Sequence, residues 1–267
     1  MIELPTKRSE VQNYNPAMIV FFGKPKSGKS SLMASLDSNL IIDLENGYRA
    51  LSVMAVQARS VDDLREIAIA LKTKIAENKG EFPYKFITID NATRLEEMCL
   101  ALAAKLYRKT PMGSNWGKLK DPNTGMFIKD EKGRIKDDPK ADVRSLPNGS
   151  GYLYLREAVK QVINSFKGLS ETLILVAHVK DKQIQVNGQE MSEMSVDLAG
   201  KLGDIICGEA DAIGYIYREK NNTIISFEGG DNTIREARPI HLRGKKFIVG
   251  TSDEENNVKF DMSKIFI

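Results

Sequence analysis

Cysteine is scarce in this sequence, and long apolar runs are missing from it. The two cysteines, Cys99 and Cys207, are too few and too isolated for a disulfide framework or a zinc site. No stretch approaches the ~18 consecutive apolar residues that a membrane helix requires. The N-terminal residues also lack the apolar segment of a secretory signal. We therefore expect a reduced, cytoplasmic protein, and its 267 residues are enough to bury a substantial core.

A large excess of charge of one sign is also absent. The formal net charge is only +3, which neither demands nor excludes a nucleic-acid partner. The charge is unevenly distributed, because residues 105–144 contain eleven Lys and Arg against six Asp and Glu. The rest of the chain is therefore slightly acidic.

Short apolar runs alternate with amphipathic segments through the first 180 residues. Strands are predicted at 17–22, 39–45, 84–90 and 172–178, and helices at 29–36, 61–79, 92–108 and 152–166. A helix over 195–207, a hairpin over 213–227 that turns at 220–222, and further strands to 267 complete the prediction. The pattern predicts an α/β fold: a mostly parallel sheet with helices on both faces, and an antiparallel β extension at the C-terminus.

The chain divides into an N-terminal lead, 1–16, and one domain, 17–267. Residues 109–150 interrupt the alternation, since glycine, proline, asparagine, aspartate and lysine dominate there and periodicity disappears. We interpret this stretch as a basic insertion within the domain.

The stretch FFGKPKSGKSS, residues 21–31, matches the phosphate-binding pattern G-x-x-x-x-G-K-[ST] between a predicted strand and a predicted helix. Glycines let backbone N–H groups converge on phosphate oxygens, and the start of the helix adds partial positive charge. Lys29 would reach the β- and γ-phosphates, and the Ser30 hydroxyl would bind Mg²⁺. The predicted nucleotide-binding residues are Gly23, Lys24, Pro25, Lys26, Ser27, Gly28, Lys29, Ser30 and Ser31. A basic surface turn is the alternative interpretation.

Two carboxylates follow predicted strands downstream of this loop. Asp90 ends the strand that contains 86–89, where P-loop proteins keep a carboxylate that holds the water shell of magnesium. It could instead be a simple helix cap. Glu45 lies just beyond the strand in IIDLENG.

The order of these motifs resembles RecA-type ATPases. In that family a glutamate placed like Glu45 activates the attacking water. The strand after the magnesium site ends in a polar residue, usually glutamine, that senses the γ-phosphate and leads into a DNA-binding loop. The corresponding residue in LILVAHVKDK is His178. The resemblance implies that Glu45 and Lys29 are catalytic and that His178 is the γ-phosphate sensor.

A narrower resemblance covers residues 17–246. The stretches IIDLENG, ITIDNATRLEEM, LILVAHVKDK, VDLAGKLGDIICGEADAIGYIYR and EARPIHLRGK are similar to those of phage-encoded ATP-binding proteins with a RecA-like core, a family that includes single-strand annealing proteins of phage recombination. It implies a RecA-like, Mg²⁺-dependent ATPase that binds single-stranded DNA in the cytoplasm of a bacterial host. Family members carry a late Lys-x-Arg pair thought to reach a neighbouring subunit. Here only the arginine, Arg238, is present, which leaves trans-activation open.

Three alternatives remain at this stage. Lys24 occupies the place of the extra lysine in ParA/MinD-type dimeric ATPases, but the Asp-x-Asp-Pro and Asp-x-Pro-Pro motifs of those families are missing. A small-molecule kinase is disfavoured because no lid-like arginine cluster stands out. A non-catalytic ATP-binding partner module of the replication machinery is the third.

Two polar segments are candidates for contact with DNA. The insertion combines basic charge with aromatic residues, the combination with which single-strand binders hold phosphates and stack on bases. The second segment, 180–195, is polar and glycine-containing, and we expect a mobile loop. The candidate DNA-binding residues are Trp116, Lys118, Lys120, Lys180 and Lys182. Either segment could instead contact a partner protein, such as a single-strand-binding or replication protein, or another copy of the chain in a ring or filament.

Overall fold

The apolar runs of the sequence assemble into one mixed β-sheet. The computed structural model describes residue 6 and residues 13–186, 189–230, 233–255 and 257–267, so most of the N-terminal lead lies outside the described residues. Within this part of the chain the strands are β1 (Met18–Gly23), β2 (Asn39–Asp43), β3 (Met54–Gln57), β4 (Phe86–Asp90), β5 (Thr172–Val186), β6 (Gln189–Val196), β7 (Ala212–Glu219), β8 (Asn222–Ser226), β9 (Glu236–Ala237), β10 (Lys246–Ser252) and β11 (Val258–Phe260). The helices are α1 (Lys29–Ala34), α2 (Val61–Glu77), α3 (Ala92–Met98), α4 (Leu100–Arg108), α5 (Gly151–Phe166) and α6 (Leu202–Glu209).

The strand order along the sheet is β11-β10-β8-β7-β1-β5-β4-β2-β3, with β6 paired to β5 and β9 to β7. From β7 to β3 the neighbours on this path run parallel, whereas β8, β10 and β11 extend the sheet with antiparallel pairs. The α/β fold predicted from the sequence is thereby confirmed. The short edge strand β3 was not predicted from the sequence. Its four residues are exposed or half-buried and show no alternation of buried and exposed positions.

Both faces of the central strands are buried, which explains their unbroken apolar character. Along β1, Ile19 and Phe21 face a core completed by α1 and the C-terminal residues, whereas Val20 and Phe22 face the core under α2 to α6. All four side chains are no more than 1% exposed. The two layers are therefore unequal, with most of the helical cover on one face.

Helix α2 shows how local sequence fixes the ends of a helix. Ser60 accepts a hydrogen bond from Asp63 N at 3.1 Å, and the Asp63 carboxylate accepts one from Ser60 N, which forms a capping box. At the other end Gly80 has φ +99° and donates its N–H to Ile75 O at 2.8 Å. The left-handed conformation required there is one that glycine adopts without cost.

Two helix predictions need correction. The expected helix over 92–108 is divided into α3 and α4 at Cys99, although the hydrogen bond from Cys99 N to Leu95 O continues the helical pattern across the division. The expected helix over 195–207 is wrong in its first half, since 195 and 196 belong to β6 and α6 starts only at Leu202. The intervening backbone is held elsewhere, because Ala199 N donates to the Glu96 carboxylate at 2.9 Å.

The expected loop over 180–195 is a β-hairpin instead. Strands β5 and β6 pair antiparallel from Val179 opposite Val196 to Val186 opposite Gln189, beyond the edge of the parallel sheet. Lys180, Asp181, Lys182 and Gln183 are all exposed or only half-buried. These polar residues at the start of the hairpin interrupt the apolar alternation by which strands are recognised, so the stretch reads as a loop from its sequence.

The insertion over 109–150 is folded without regular helices or sheet strands. Three isolated antiparallel bridges, Lys118 to Asp137, Lys120 to Phe127 and Lys129 to Ile135, hold its arms together. Val143 and Leu146 anchor the returning chain in the core below α5. The sequence shows no periodicity here, and it gave no signal for these isolated pairs.

The capping box yields a prediction. Ser60→Ala removes an acceptor for the first turn of α2, so the free energy of unfolding should fall by about 1 kcal/mol. Ser150 is a matched control, since it occupies the N-cap of α5 but makes no capping hydrogen bond. Ser150→Ala should stay within about 0.5 kcal/mol of the parent. Equal losses in urea denaturation of the two variants would contradict this account.

Candidate functional site

Parallel strands place several polar residues at one edge of the sheet. Gly23 at the end of β1 pairs with His178 on β5, and Asp43 at the end of β2 pairs with Asp90 at the end of β4. The loops that leave these strands therefore meet above the same edge, where α/β proteins bind ligands. The predicted phosphate-binding loop is one of them.

The loop between β1 and α1 needs glycine at both of its fixed positions. A Cβ on Gly23 would lie 2.3 Å from the carbonyl oxygen of Ile216 on β7, so the neighbouring backbone excludes any side chain there. Gly28 has φ +94°, and Lys26 also adopts a positive φ of 62°. Ser27 N donates to Lys24 O at 3.2 Å and closes the turn.

Lys29 lies folded into this loop. Its Nζ donates to Gly23 O at 2.9 Å and to Lys24 O at 2.8 Å. Burial lowers the pKa of Lys29, while the carboxylates of Asp90 and Glu45 oppose that shift. The ammonium group thus lies in the interior of the loop. It is poorly hydrated there, and an anion that binds to the loop would contact it directly.

Asp90 is buried and accepts two hydroxyl hydrogen bonds on one oxygen. Ser30 Oγ donates to Asp90 Oδ2 at 3.1 Å, and Tyr48 Oη donates to the same atom at 2.5 Å. Burial raises the pKa of Asp90, and these two hydrogen bonds oppose the shift. The hydroxyl and carboxylate oxygens are hard donors that suit Mg²⁺.

A single carboxylate organises the turn that follows β2. Asp43 Oδ1 accepts the N–H groups of Glu45, Asn46 and Gly47, and Oδ2 accepts that of Tyr48 at 3.3 Å. The turn leaves the Glu45 side chain exposed and directs the Tyr48 ring into the core, where it is 4% exposed. Burial and the neighbouring Asp90 charge raise the pKa of Tyr48, so its hydroxyl keeps the proton that it donates.

His178 contacts the residue that follows Asp90. Asn91 Oδ1 accepts Arg94 N at 2.8 Å as the cap of α3, which turns the amide nitrogen of Asn91 toward His178 Nε2 at 3.1 Å. Since an amide nitrogen can only donate, Nε2 is the acceptor in this contact. His178 lies within the long strand β5 rather than at its end, so the hairpin continues directly from it.

These groups surround one cavity of about 310 Å³, a volume typical of small-molecule sites. Its lining comprises Pro25, Lys26, Gly28, Lys29, Ser30, Ser31, Glu45, Asp90, Asn91, His178 and Arg218. The predicted residues Gly23, Lys24 and Ser27 belong to the same loop but do not line the cavity. Sequence reasoning missed Asn91 and Arg218 as lining residues and Tyr48 as the partner of Asp90. The adjacency of Asn91 to Asp90 was the one available signal.

The candidate DNA-binding residues are less free than their sequence suggests. Trp116 packs edge-on against Tyr107 at 5.3 Å between ring centroids. Lys118 pairs with Asp137 at 2.7 Å, and Lys182 pairs with Asp204 at 2.9 Å. The other two candidates are also in contact with protein groups. Lys180 Nζ donates to Leu198 O, and Lys120 Nζ lies 5.2 Å from the centre of the Phe127 ring.

Arg238 lies apart from the cavity. It pairs with Asp211 at 3.2 Å, immediately before β7. Asp211 also accepts the N–H of Ala17 at 2.9 Å, just before β1 begins. This places Arg238 at the amino edge of the sheet, opposite the loop and away from the cavity.

The strand, glycine loop, buried lysine and adjacent Ser30 and Asp90 define an α/β P-loop NTPase fold. The AAA domain family model, AAA_24, matches residues 15–246, and the chain belongs to that family. Among solved structures, the crystal structure of the RadB recombinase is similar over 93% of this chain and 92% of that chain, with 12% identity and a TM-score of 0.46. A likeness of that extent carries no argument about this chain.

A comparison with curated proteins finds no match. None of the helices in the described ranges is long and apolar enough to cross a membrane. The same residues contain no cluster of three His, Cys, Asp or Glu side chains that could hold a metal ion.

The Tyr48 contact gives a prediction with a definite pH dependence. Its hydroxyl favours the ionised form of Asp90, so Tyr48→Phe should raise the pKa of that carboxyl further. When the pKa of a carboxyl is higher in the folded than in the unfolded state, the folded state loses stability as the pH rises from the unfolded pKa to the folded pKa. The variant should lose about 1–3 kcal/mol of unfolding free energy.

That loss should be larger at mildly alkaline than at mildly acidic pH. Denaturation curves at the two pH values measure it. Tyr84→Phe, at a half-buried tyrosine outside the cavity, is the control and should show no pH-dependent change. A deficit of equal size at both pH values would refute the link to Asp90.

Proposed function

We propose that this protein is a Mg²⁺-dependent ATPase that binds single-stranded DNA in phage-type recombination, annealing or repair. The observation that carries the ATPase part is the convergence of Lys29, the Ser30–Asp90 pair and Glu45 on one cavity. Membership of the AAA domain family supports nucleotide binding by this loop. The DNA part has separate support from the hairpin.

Each cavity residue has a distinct task in binding. Backbone N–H groups of the loop and the Lys29 ammonium bind the phosphate oxygens. Bound magnesium would neutralise charge on the β- and γ-phosphates. Ser30 would ligate that ion, and Asp90 would orient its water shell. Tyr48 fixes Asp90 through a hydrogen bond to Oδ2, the oxygen that also accepts from Ser30.

Hydrolysis requires a group that orients and deprotonates water. Glu45 is the exposed carboxylate on the cavity rim, close enough for its charge to act on Lys29 and Asp90. A carboxylate at this place can accept the proton of a water that attacks the γ-phosphate. Lys29 stabilises the negative charge that accumulates on the transferred group.

The hairpin is attached to the nucleotide cavity at both of its ends. At its start, His178 contacts Asn91, the neighbour of Asp90. At its finish, Thr93 Oγ1 donates to Asp197 O at 2.9 Å. Both contacts lead to α3, which follows the magnesium-site strand. A shift of the start of α3, which directly follows Asp90, would therefore move both ends of the hairpin.

The cations near the hairpin and the insertion would meet DNA phosphates by exchange of partners. Exposed ion pairs such as Lys182 with Asp204 contribute only about 0–1 kcal/mol, so a phosphate can replace the carboxylate at small cost. Such exchange would release counterions and make binding sensitive to salt. Assembly into a homo-oligomer would give Arg238 access to a neighbouring nucleotide, and a single-strand-binding or replication protein is a further candidate partner.

Paired variants separate binding from hydrolysis. Lys29→Ala should weaken binding of a labelled ATP at least tenfold, about 1.4 kcal/mol. Glu45→Gln should bind ATP like the parent but hydrolyse it about 10²–10⁴ times more slowly. Glu81→Gln, at an exposed glutamate outside the cavity, is the control.

Two results would refute the ATPase proposal: unchanged ATP binding by Lys29→Ala, or parental turnover by Glu45→Gln. Lys24→Ala addresses the ParA/MinD-type alternative. In our proposal this variant keeps its hydrolysis rate, whereas in that alternative it loses hydrolysis because the lysine acts across a dimer.

The DNA part predicts a reciprocal coupling through His178. A non-hydrolysable ATP analogue should raise affinity for a labelled single-stranded oligonucleotide by about fivefold or more relative to ADP, and DNA should raise nucleotide affinity equally. His178→Ala should keep both separate affinities and lose the coupling. His178→Gln, which can still accept from Asn91, should retain it.

The measurement is a fluorescence titration without nucleotide, with ADP and with the analogue, each at two salt concentrations. Absence of salt-sensitive binding in every state would rule out the DNA proposal and favour a non-catalytic ATP-binding module. Binding with one affinity in all three states would show that His178 couples nothing.

A further inference from the structure

Arg218 is a cation on the cavity that none of the motifs in the sequence anticipates. It belongs to β7, the parallel neighbour of β1 on the side away from β5. Tyr215 pairs with Phe22, so the chain of β7 continues past the end of β1 and carries Arg218 over the glycine loop. It therefore faces the loop from the side opposite His178 and Asp90.

The guanidinium lies against the loop backbone. A Cβ built on Gly28 would be 3.4 Å from Nη2 and 3.6 Å from Nε of Arg218. Since Gly28 directly precedes Lys29, the guanidinium stands beside the part of the loop that is expected to surround phosphates. Any residue other than glycine would bring a side chain into the space between that backbone and the guanidinium.

Position, and not the lack of a carboxylate partner, distinguishes Arg218 from the other arginines. It takes part in none of the ion pairs formed among the described residues, which is equally true of Arg49, Arg59, Arg156, Arg235 and Arg243. Of this group, Arg218 is the arginine that lines the cavity, where it stands with Lys26 and Lys29 as one of three cations beside the carboxylates of Glu45 and Asp90. Like charges gathered in one cavity repel each other, and a bound polyanion relieves that repulsion.

We propose that Arg218 binds the phosphate chain of the nucleotide from the same subunit, across the loop from Asp90. The planar guanidinium presents paired N–H donors that match two phosphate oxygens, whereas Lys29 acts as a point charge. The two cations would then hold the chain from opposite sides. The inference rests on the proposed ATP-binding function and adds to it a phosphate ligand from β7.

The test compares Arg218→Gln with Lys220→Gln. Lys220 is an exposed cation in the turn that follows the same strand, and it does not line the cavity. The readouts are equilibrium binding of a fluorescent ATP analogue and its displacement by inorganic tripolyphosphate, each with magnesium. Thermal unfolding without ligand verifies that each variant is folded. Arg218→Lys, which keeps the charge but loses the paired donors, carries the test if the glutamine variant does not fold.

Arg218→Gln should bind both the analogue and tripolyphosphate about tenfold more weakly than the parent. The affinities of Arg218→Lys should lie between those of the parent and those of Arg218→Gln. Lys220→Gln should match the parent. Equal affinities of parent and Arg218→Gln for both probes would overturn the inference and leave the ATPase proposal standing. Loss of the analogue alone, with parental tripolyphosphate binding, would also overturn it, since the guanidinium would then serve the base. If the parent itself binds neither probe, the proposed function fails first.

Discussion

The parallel pairing of β1 between β5 and β7 is the constraint on which the rest of the site depends. It sets Gly23 beside His178 on one side and carries Arg218 past the loop on the other. Every group of the cavity is then supplied by the carboxyl edge of one buried sheet. The apolar residues of β1, which make no contact with any ligand, fix this geometry because both of their faces are packed.

A second layer of order comes from carboxylates that bind backbone rather than ligand. Asp43 gathers four N–H groups, and the resulting turn points Glu45 outward and Tyr48 inward. The hydroxyl of Tyr48 then shares Asp90 Oδ2 with Ser30. The position of Glu45, the proposed general base, therefore depends on the buried side chain of Asp43. The orientation of Asp90, the residue proposed for magnesium, depends on the same side chain.

The sequence was most informative where the chemistry is local. The glycine loop is contiguous, and Asp90 ends a run of buried residues, so both could be located by pattern alone. Tyr48 and Arg218 could not, because their roles arise from contacts with residues 42 and roughly 190 positions away in the chain. The hairpin was misread for a different reason, since its strands leave the core and lose the periodicity that burial imposes. Lys118 seemed free because its partner, Asp137, lies 19 residues later.

The close approach of Gly23 to β7 limits which residues of this loop can be studied by mutagenesis. A Cβ there would collide with the Ile216 carbonyl, which belongs to the sheet backbone and has little freedom to move. A substitution at Gly23 would therefore damage the architecture and the chemistry together, and its phenotype would be uninterpretable. The Lys29 ammonium donates its hydrogen bonds to carbonyls of the loop itself, Gly23 O and Lys24 O. A substitution at Gly23 is thus expected to cause a folding defect. A substitution at Lys29, in the same short motif, removes a functional group without that defect.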